Sequence, residues 1–198
     1  MRSQVSLLVT RYMFGALRQL RGVRQYVNIP VIQTMVTSLV LTRLDYANSV
    51  FYGLLAELIR CLQSVQNAAA RLVFNLRRSD HVTDALISLH WLRISERIRF
   101  KVALLTYRSL HGLVPPYLAN FCKISTMPGR RALRSSTSMR LVVPRVRCST
   151  FGSRSFLVAG ASVWNSLPLD VTSAPSLSVF PCRLEKFLFG FSLPSAVI

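Results

Sequence analysis

LLAELIRCLQSVQNAAARLVFN, residues 54–75, decides how the chain is read. Leu55, Leu58, Ile59, Leu62, Val65, Ala69, Leu72 and Val73 recur at three- and four-residue steps, the period of one helical face. Arg60, Gln63, Asn67 and Arg71 line the opposite face. The period predicts an amphipathic helix over 54–75.

Outward from it, residues 76–80 (LRRSD) read as a turn, with Ser79 or Asp80 capping a short helix to Leu89. Ser95 is the expected cap of a further helix, 96–111, with Glu96 in its favoured first turn. Ile98, Val102, Leu105 and Ser109 share one face of that helix, and Phe100, Leu104 and Tyr107 add a second. Gly112 ends it, and Pro115–Pro116 open a short helix through Phe121. Toward the N-terminus, residues 4–21 read as a helix closed near Gly22. Pro30 suits the first turn of another, running to about Phe51 before Gly53. Helices 54–75 and 96–111 are expected to pack as an antiparallel pair. They would bury Leu62, Val65, Leu72, Ile98, Val102 and Leu105, each contributing roughly 1.5–3 kcal/mol when fully buried.

The texture changes near residue 122. KISTMPGRRALRSSTS is rich in Ser and Arg and reads as a loop. RLVVPRVRCSTFGSRSF then alternates, with Pro144 arguing for an edge strand. Helical texture resumes from Leu157 to Leu167, and Pro168 stops it. Ser176 can cap a last helix, 177–189, provided Pro181 lies in its first turn. The fold class expected is mainly α: a thumb-like helical bundle, a basic loop, a short β-hairpin and one or two C-terminal helices. The expected divisions are 1–121, a loop at 122–138, a hairpin-plus-helix subdomain at 139–189, and a loose tail at 190–198.

The 198 residues carry 25 Lys plus Arg against 7 Asp plus Glu, a formal net charge of +18. With 51% hydrophobic residues this is not a disordered basic tail, nor an enzyme with an acidic surface. Only Lys101, Lys123 and Lys186 are lysines; the other 22 basic residues are arginines, whose planar fork of donors suits phosphate and stacks on bases. No acid precedes Asp45, and none lies between Glu96 and Asp170, a span holding 12 basic residues. Such an excess repels itself and points to a polyanionic partner; a membrane surface or a generic basic surface are the other readings.

Cys61, Cys122, Cys148 and Cys182 are widely spaced, with neither a CxxC nor zinc-ligand spacing, and are expected to be reduced and mostly buried. The first 24 residues are Arg-bearing and free of acid, which fits a mitochondrial presequence as well as a structural helix. The longest charge-free stretch, Gln25 to Thr42, is 18 residues with many polar members, so no membrane span is expected.

The seven acids are scattered: Asp45, Glu57, Asp80, Asp84, Glu96, Asp170 and Glu185. Two-metal phosphoryl transfer needs clustered carboxylates, and neither GxxxxGK[ST] nor GxSxG occurs. His81, His90 and His111 are isolated; His90 beside Trp91 reads as structural. The expectation is no catalytic residue, metal site, cofactor or small-molecule substrate. Two basic groups remain. Arg93, Arg97, Lys101 and Arg108 lie at steps of 4, 4 and 7, within one side of a helix. Arg130, Arg131, Arg134, Arg140, Arg145 and Arg147 crowd the loop and hairpin. Each group reads either as a phosphate-tracking surface or as solvated charge. Trp91, Tyr107, Phe151 and Trp164 read as core rather than as stacking platforms.

Several strings stand in one order: TRLDYANSVFYGL, LQSVQNAAARLV, DHVTDALISLHWL, ERIRFKVALLTYRSLHGLVPPYL, ALRSS, LVVPRVR, TFGSRSF and WNSLP. Together, over about residues 12–189, they resemble the region that follows the polymerase palm in reverse transcriptases of non-LTR, jockey-like retrotransposons. The resemblance implies a thumb-like helical element that holds RNA or an RNA–DNA duplex by its phosphates, with a palm domain supplied in trans. The family's paired metal-binding aspartates lie upstream and have no counterpart in this sequence. The chain departs from the family at Arg93, where proline is usual, and at Pro181, where a basic residue is usual. The function expected is therefore a non-catalytic, nucleic-acid-binding fragment, nuclear or cytoplasmic. A structural component of a mitochondrial ribonucleoprotein and a retrotransposon fossil without a cellular role are the alternatives.

Overall fold

A computed structural model describes residues 2–46, 51–53, 56–119, 139–146 and 152–192. The protein is mainly helical: α1 (Arg2–Val23), α2 (Ile29–Val36), α3 (Thr42–Asp45), α4 (Ala56–Phe74), α5 (Thr83–Ser88), α6 (Ile94–Leu110), α7 (Phe156–Asn165), α8 (Leu169–Thr172) and α9 (Val179–Ser192). A π-helical turn, Thr37–Leu41, joins α2 to α3, so helical backbone runs from Ile29 to Asp45.

Three helices end in the same way, each for a local reason. Asn75, His90 and Gly112 adopt positive φ after α4, α5 and α6. The next residue's N–H then reaches back five positions: Leu76 to the Arg71 carbonyl, Trp91 to Leu86, and Leu113 to Arg108. This left-handed closure satisfies carbonyls that the helix leaves unpaired. Glycine takes the conformation without steric cost, and asparagine takes it more easily than most residues.

The helix starts differ from the sequence expectation. Neither Ser79 nor Asp80 caps α5, which begins after Val82 without a side-chain cap. The Asp80 carboxylate instead accepts the Arg77 N–H at 2.7 Å. Ser95 does not cap α6 but donates to Glu96 Oε2 at 2.7 Å. The Ile94 N–H is taken by Gln63 Oε1 of α4 at 2.9 Å, a cap from another helix. Two starts are as read: Pro30 stands in the first turn of α2, and Ser176 accepts from the Val179 N–H, leaving Pro181 in the first turn of α9; the cap of α2, not read from the sequence, is Asn28, which accepts from the Val31 N–H.

The chain folds as two compact units, each described by itself, and the division between them falls inside α6 between Arg97 and Ile98. In the first unit α4 packs along α1, and α2 and α5 also pack on it. Its core includes Met13, Leu17, Ile32, Val36, Leu62, Val65, Ala69 and Val73. Within the first unit the main companion of α4 is α1, and from Ile98 onward α6 belongs to the second unit. Leu72 and Leu105, expected buried, are half-buried.

The second unit is centred on Tyr107, Trp164 and Phe180, all buried. Tyr107 stacks on Phe180 with centroids 4.3 Å apart, and Trp164 lies 5.9 Å from Phe180. Residues 139–146 are non-helical and carry an isolated β-bridge at Leu141; no strand beyond that bridge occurs among the described residues. This segment is held by side chains: Asn165 accepts from the Leu141 N–H and donates to its carbonyl, both at 2.9 Å, and Trp164 Nε1 donates to the Met139 carbonyl at 2.7 Å. The amide of Asn165 acts on Leu141 as a neighbouring strand would. Gly152 lies against Val146 so closely that a Cβ there would sit 2.5 Å from the valine Cβ. The loop 122–138 and the tail beyond Ser192 lie outside the described residues.

Candidate nucleic-acid interface

The helix α6 carries the first group of expected contacts. Arg93, just before it, and Lys101 and Arg108 within it are exposed, and none of the three side chains has a hydrogen-bonded or ionic partner among the described residues. Arg97 differs. Its side chain is 17% exposed, and its guanidinium grips Asp45 with both ends, Nε on Oδ1 at 2.9 Å and Nη2 on Oδ2. A bidentate pair of this kind fixes the fork and cancels its charge. Arg97 thus ties α6 to α3, while its helical neighbours Arg93 and Lys101 face solvent.

Of the second group, Arg145 and Arg140 are exposed on the 139–146 segment. Arg130, Arg131, Arg134 and Arg147 lie outside the described residues. Trp91, Tyr107 and Trp164 are buried core residues, as read from the sequence; Phe151 lies outside the described residues. His111 is stacked on Tyr107 at 4.0 Å, its Nδ1 2.8 Å from the Tyr107 carbonyl, and His90 holds the left-handed position after α5.

A further cationic feature sits wholly in the first unit. Between α1 and α4 lies a cleft of about 870 Å³ whose lining includes Arg18, Arg21, Arg24, Arg71, Arg77 and Arg78 and, among the described residues, no carboxylate. The helical period explains the convergence. Phe14, Leu17, Arg18 and Arg21 occupy one face of α1, and Ser64, Ala68, Arg71 and Leu72 one face of α4. Arg24 closes one end: Nε and Nη2 donate to the carbonyls of Leu72 and Val73 at 3.2 and 3.1 Å, and Nη1 to that of Val27 at 3.2 Å. A cation at the carbonyl end of a helix is favoured by the helix dipole.

Sequence reading missed this cleft because its arginines come from three separate segments, none of which is a basic run. The available signal was the acid-free stretch before Asp45, with Arg18, Arg21 and Arg24 at three-residue steps. Among the described residues no three His, Cys, Asp or Glu side chains group as metal ligands, and no helix is long and apolar enough to cross a membrane. Cys61 is half-buried and Cys182 exposed, both free of a disulfide, so burial does not extend to Cys182 as expected.

No known protein family, curated protein or solved structure matches this chain.

Proposed function

We propose that this chain is a non-catalytic nucleic-acid-binding module, a C-terminal fragment of a non-LTR retrotransposon reverse transcriptase. In this reading the helical part is the thumb, and the 139–146 segment is one arm of a hairpin beyond it. The partner is RNA or an RNA–DNA duplex held by its phosphates, and a palm domain in trans supplies the chemistry.

One observation carries the binding part of this reading. Among the described residues only Arg60, Arg97 and Arg183 are paired with a carboxylate: Glu57, Asp45 and Asp170. The other described cations form no such pair among the described residues, and the seven acids of the sequence could neutralise at most seven of its 25 cations, so the +18 excess has no counter-charge within the chain. A polyanion relieves that repulsion and releases its own counterions on binding. The ordered sequence motifs supply the retrotransposon part.

The test is fluorescence anisotropy on labelled RNA and RNA–DNA duplexes of unrelated sequence, at low and moderate salt. Binding should weaken steeply with salt and depend little on sequence, because phosphate contacts carry no sequence information. The variant R93E/K101E/R108E should weaken all sequences alike. It should also flatten the salt dependence by roughly 0.7–0.9 in logarithmic slope for each phosphate it no longer neutralises. A folded wild type that binds none of these nucleic acids overturns the reading.

A further inference from the structure

The cleft between α1 and α4 combines two chemistries. Arg18, Arg21, Arg77 and Arg78 are exposed around it, and Arg24 and Arg71 are half-buried in it. Phe14, Leu17 and Leu72 add apolar surface to the same lining. Arg71 Nη2 reaches the Asp80 carbonyl at 3.3 Å, whereas its buried Nε has no partner among the described residues. Asp80, the acid nearest in sequence, directs its carboxylate to the Arg77 backbone N–H at 2.7 Å and forms no ion pair with the cleft arginines among the described residues.

We infer that this cleft binds a single-stranded stretch of RNA or DNA, with phosphates toward the arginines and base faces against Phe14 and Leu72. The inference rests on the nucleic-acid reading above and names the form of nucleic acid this site takes. A duplex stacks its bases inside and offers only phosphates and grooves, which leaves the apolar part of the cleft without a partner. A single strand offers successive phosphates and bare base faces together, the combination that cationic grooves with apolar or aromatic walls accept. The cations stand on both walls, from Arg18 to Arg24 on one and from Arg71 to Arg78 on the other. That spread suits several phosphates in series better than the one headgroup of an acidic lipid.

The experiment uses the full chain, a labelled short oligo-uridine, a blunt RNA duplex of equal length, and phosphatidylserine vesicles. The variant R18E/R21E/R78E changes exposed arginines and spares Arg24 and Arg71, which bond backbone carbonyls. It should weaken oligo-uridine binding by at least about tenfold, with the duplex affected much less. The milder variant R18Q/R21Q, with the helical circular dichroism of the wild type, should move in the same direction. Unchanged oligo-uridine binding in either folded variant overturns the inference. So does a wild type that binds the duplex but not oligo-uridine, in which case the broader reading stands. A wild type that binds neither form removes both, and vesicle binding lost in the cleft variant without oligo-uridine binding would assign the cleft to lipid.

Discussion

In the first unit, joints between distant stretches of chain are polar. Gln66, fully buried on α4, donates to the Leu92 carbonyl at 2.8 Å and accepts from Gln63 at 3.0 Å. Gln63 also donates to Asn67 and takes the first N–H of α6. Arg97 clasps Asp45, and Arg24 closes the end of α4. In the second unit the corresponding work falls to rings, with Tyr107, Trp164 and Phe180 in mutual contact. Two of those rings add a polar bond each, the Tyr107 hydroxyl on the Ala174 carbonyl, 3.1 Å away, and Trp164 Nε1 on the Met139 carbonyl, 2.7 Å away. The contrast teaches where each unit is fragile. Aromatic clusters fail by leaving a large cavity, whereas a buried amide network fails by leaving a group unpaired.

The comparison can be broken with substitutions read by denaturant unfolding, one tryptophan reporting on each unit. Trp91 is buried in the first unit and Trp164 in the second. The largest effect is expected from Phe180→Ala, about 3–5 kcal/mol, because it empties the middle of the ring cluster. An unfolding midpoint equal to the wild type's would show that the cluster does not hold the second unit together. Leu62→Ala, in the apolar core of the first unit, should cost about 2–4 kcal/mol; intact melting would sink the assignment of α4 as its central helix.

Gln66→Ala comes next, at about 1–3 kcal/mol, since it removes an amide and leaves the Leu92 carbonyl buried without its donor. A neutral result would mean that water replaces the amide and that the polar joint is not a point of fragility. Asp45→Asn should be smallest, below about 1 kcal/mol, because Asp45 is 40% exposed and solvent screens the pair. Its sharper readout is nucleic-acid binding. Freeing the Arg97 charge should tighten binding to RNA duplexes at low salt, and a loss of binding would place Arg97 in a purely structural role.

Legibility differed between elements. The helix over 54–75 was visible because its period is a property of neighbours three and four residues apart, and α4 occupies 56–74 of it. Gly112 announced the end of α6 because few residues take its backbone conformation easily. The caps of α5 and α6 were misread for the converse reason. Ser and Asp near a helix start are suggestive, but their side chains found other partners, and Gln63 arrived from 31 residues away. The segment at 139–146 was read as part of a hairpin from its alternation. Leu141 makes an isolated β-bridge there, and its own N–H and carbonyl are also met by a side-chain amide on α7, a pairing that alternation cannot encode.

The candidate interface divides along the same line. Composition by itself determined that the surface must carry a large, arginine-dominated positive excess, and periodicity determined that most of the chain is helical. Only the tertiary structure decided that Arg97 meets Asp45, that α1 lies along α4, and that Arg18, Arg21, Arg24, Arg71, Arg77 and Arg78 share one cleft. The physical reason is range. Helical period and charge count are written locally in the chain. The meeting of side chains some fifty positions apart, as between Asp45 and Arg97, depends on which apolar faces find each other in the folded core.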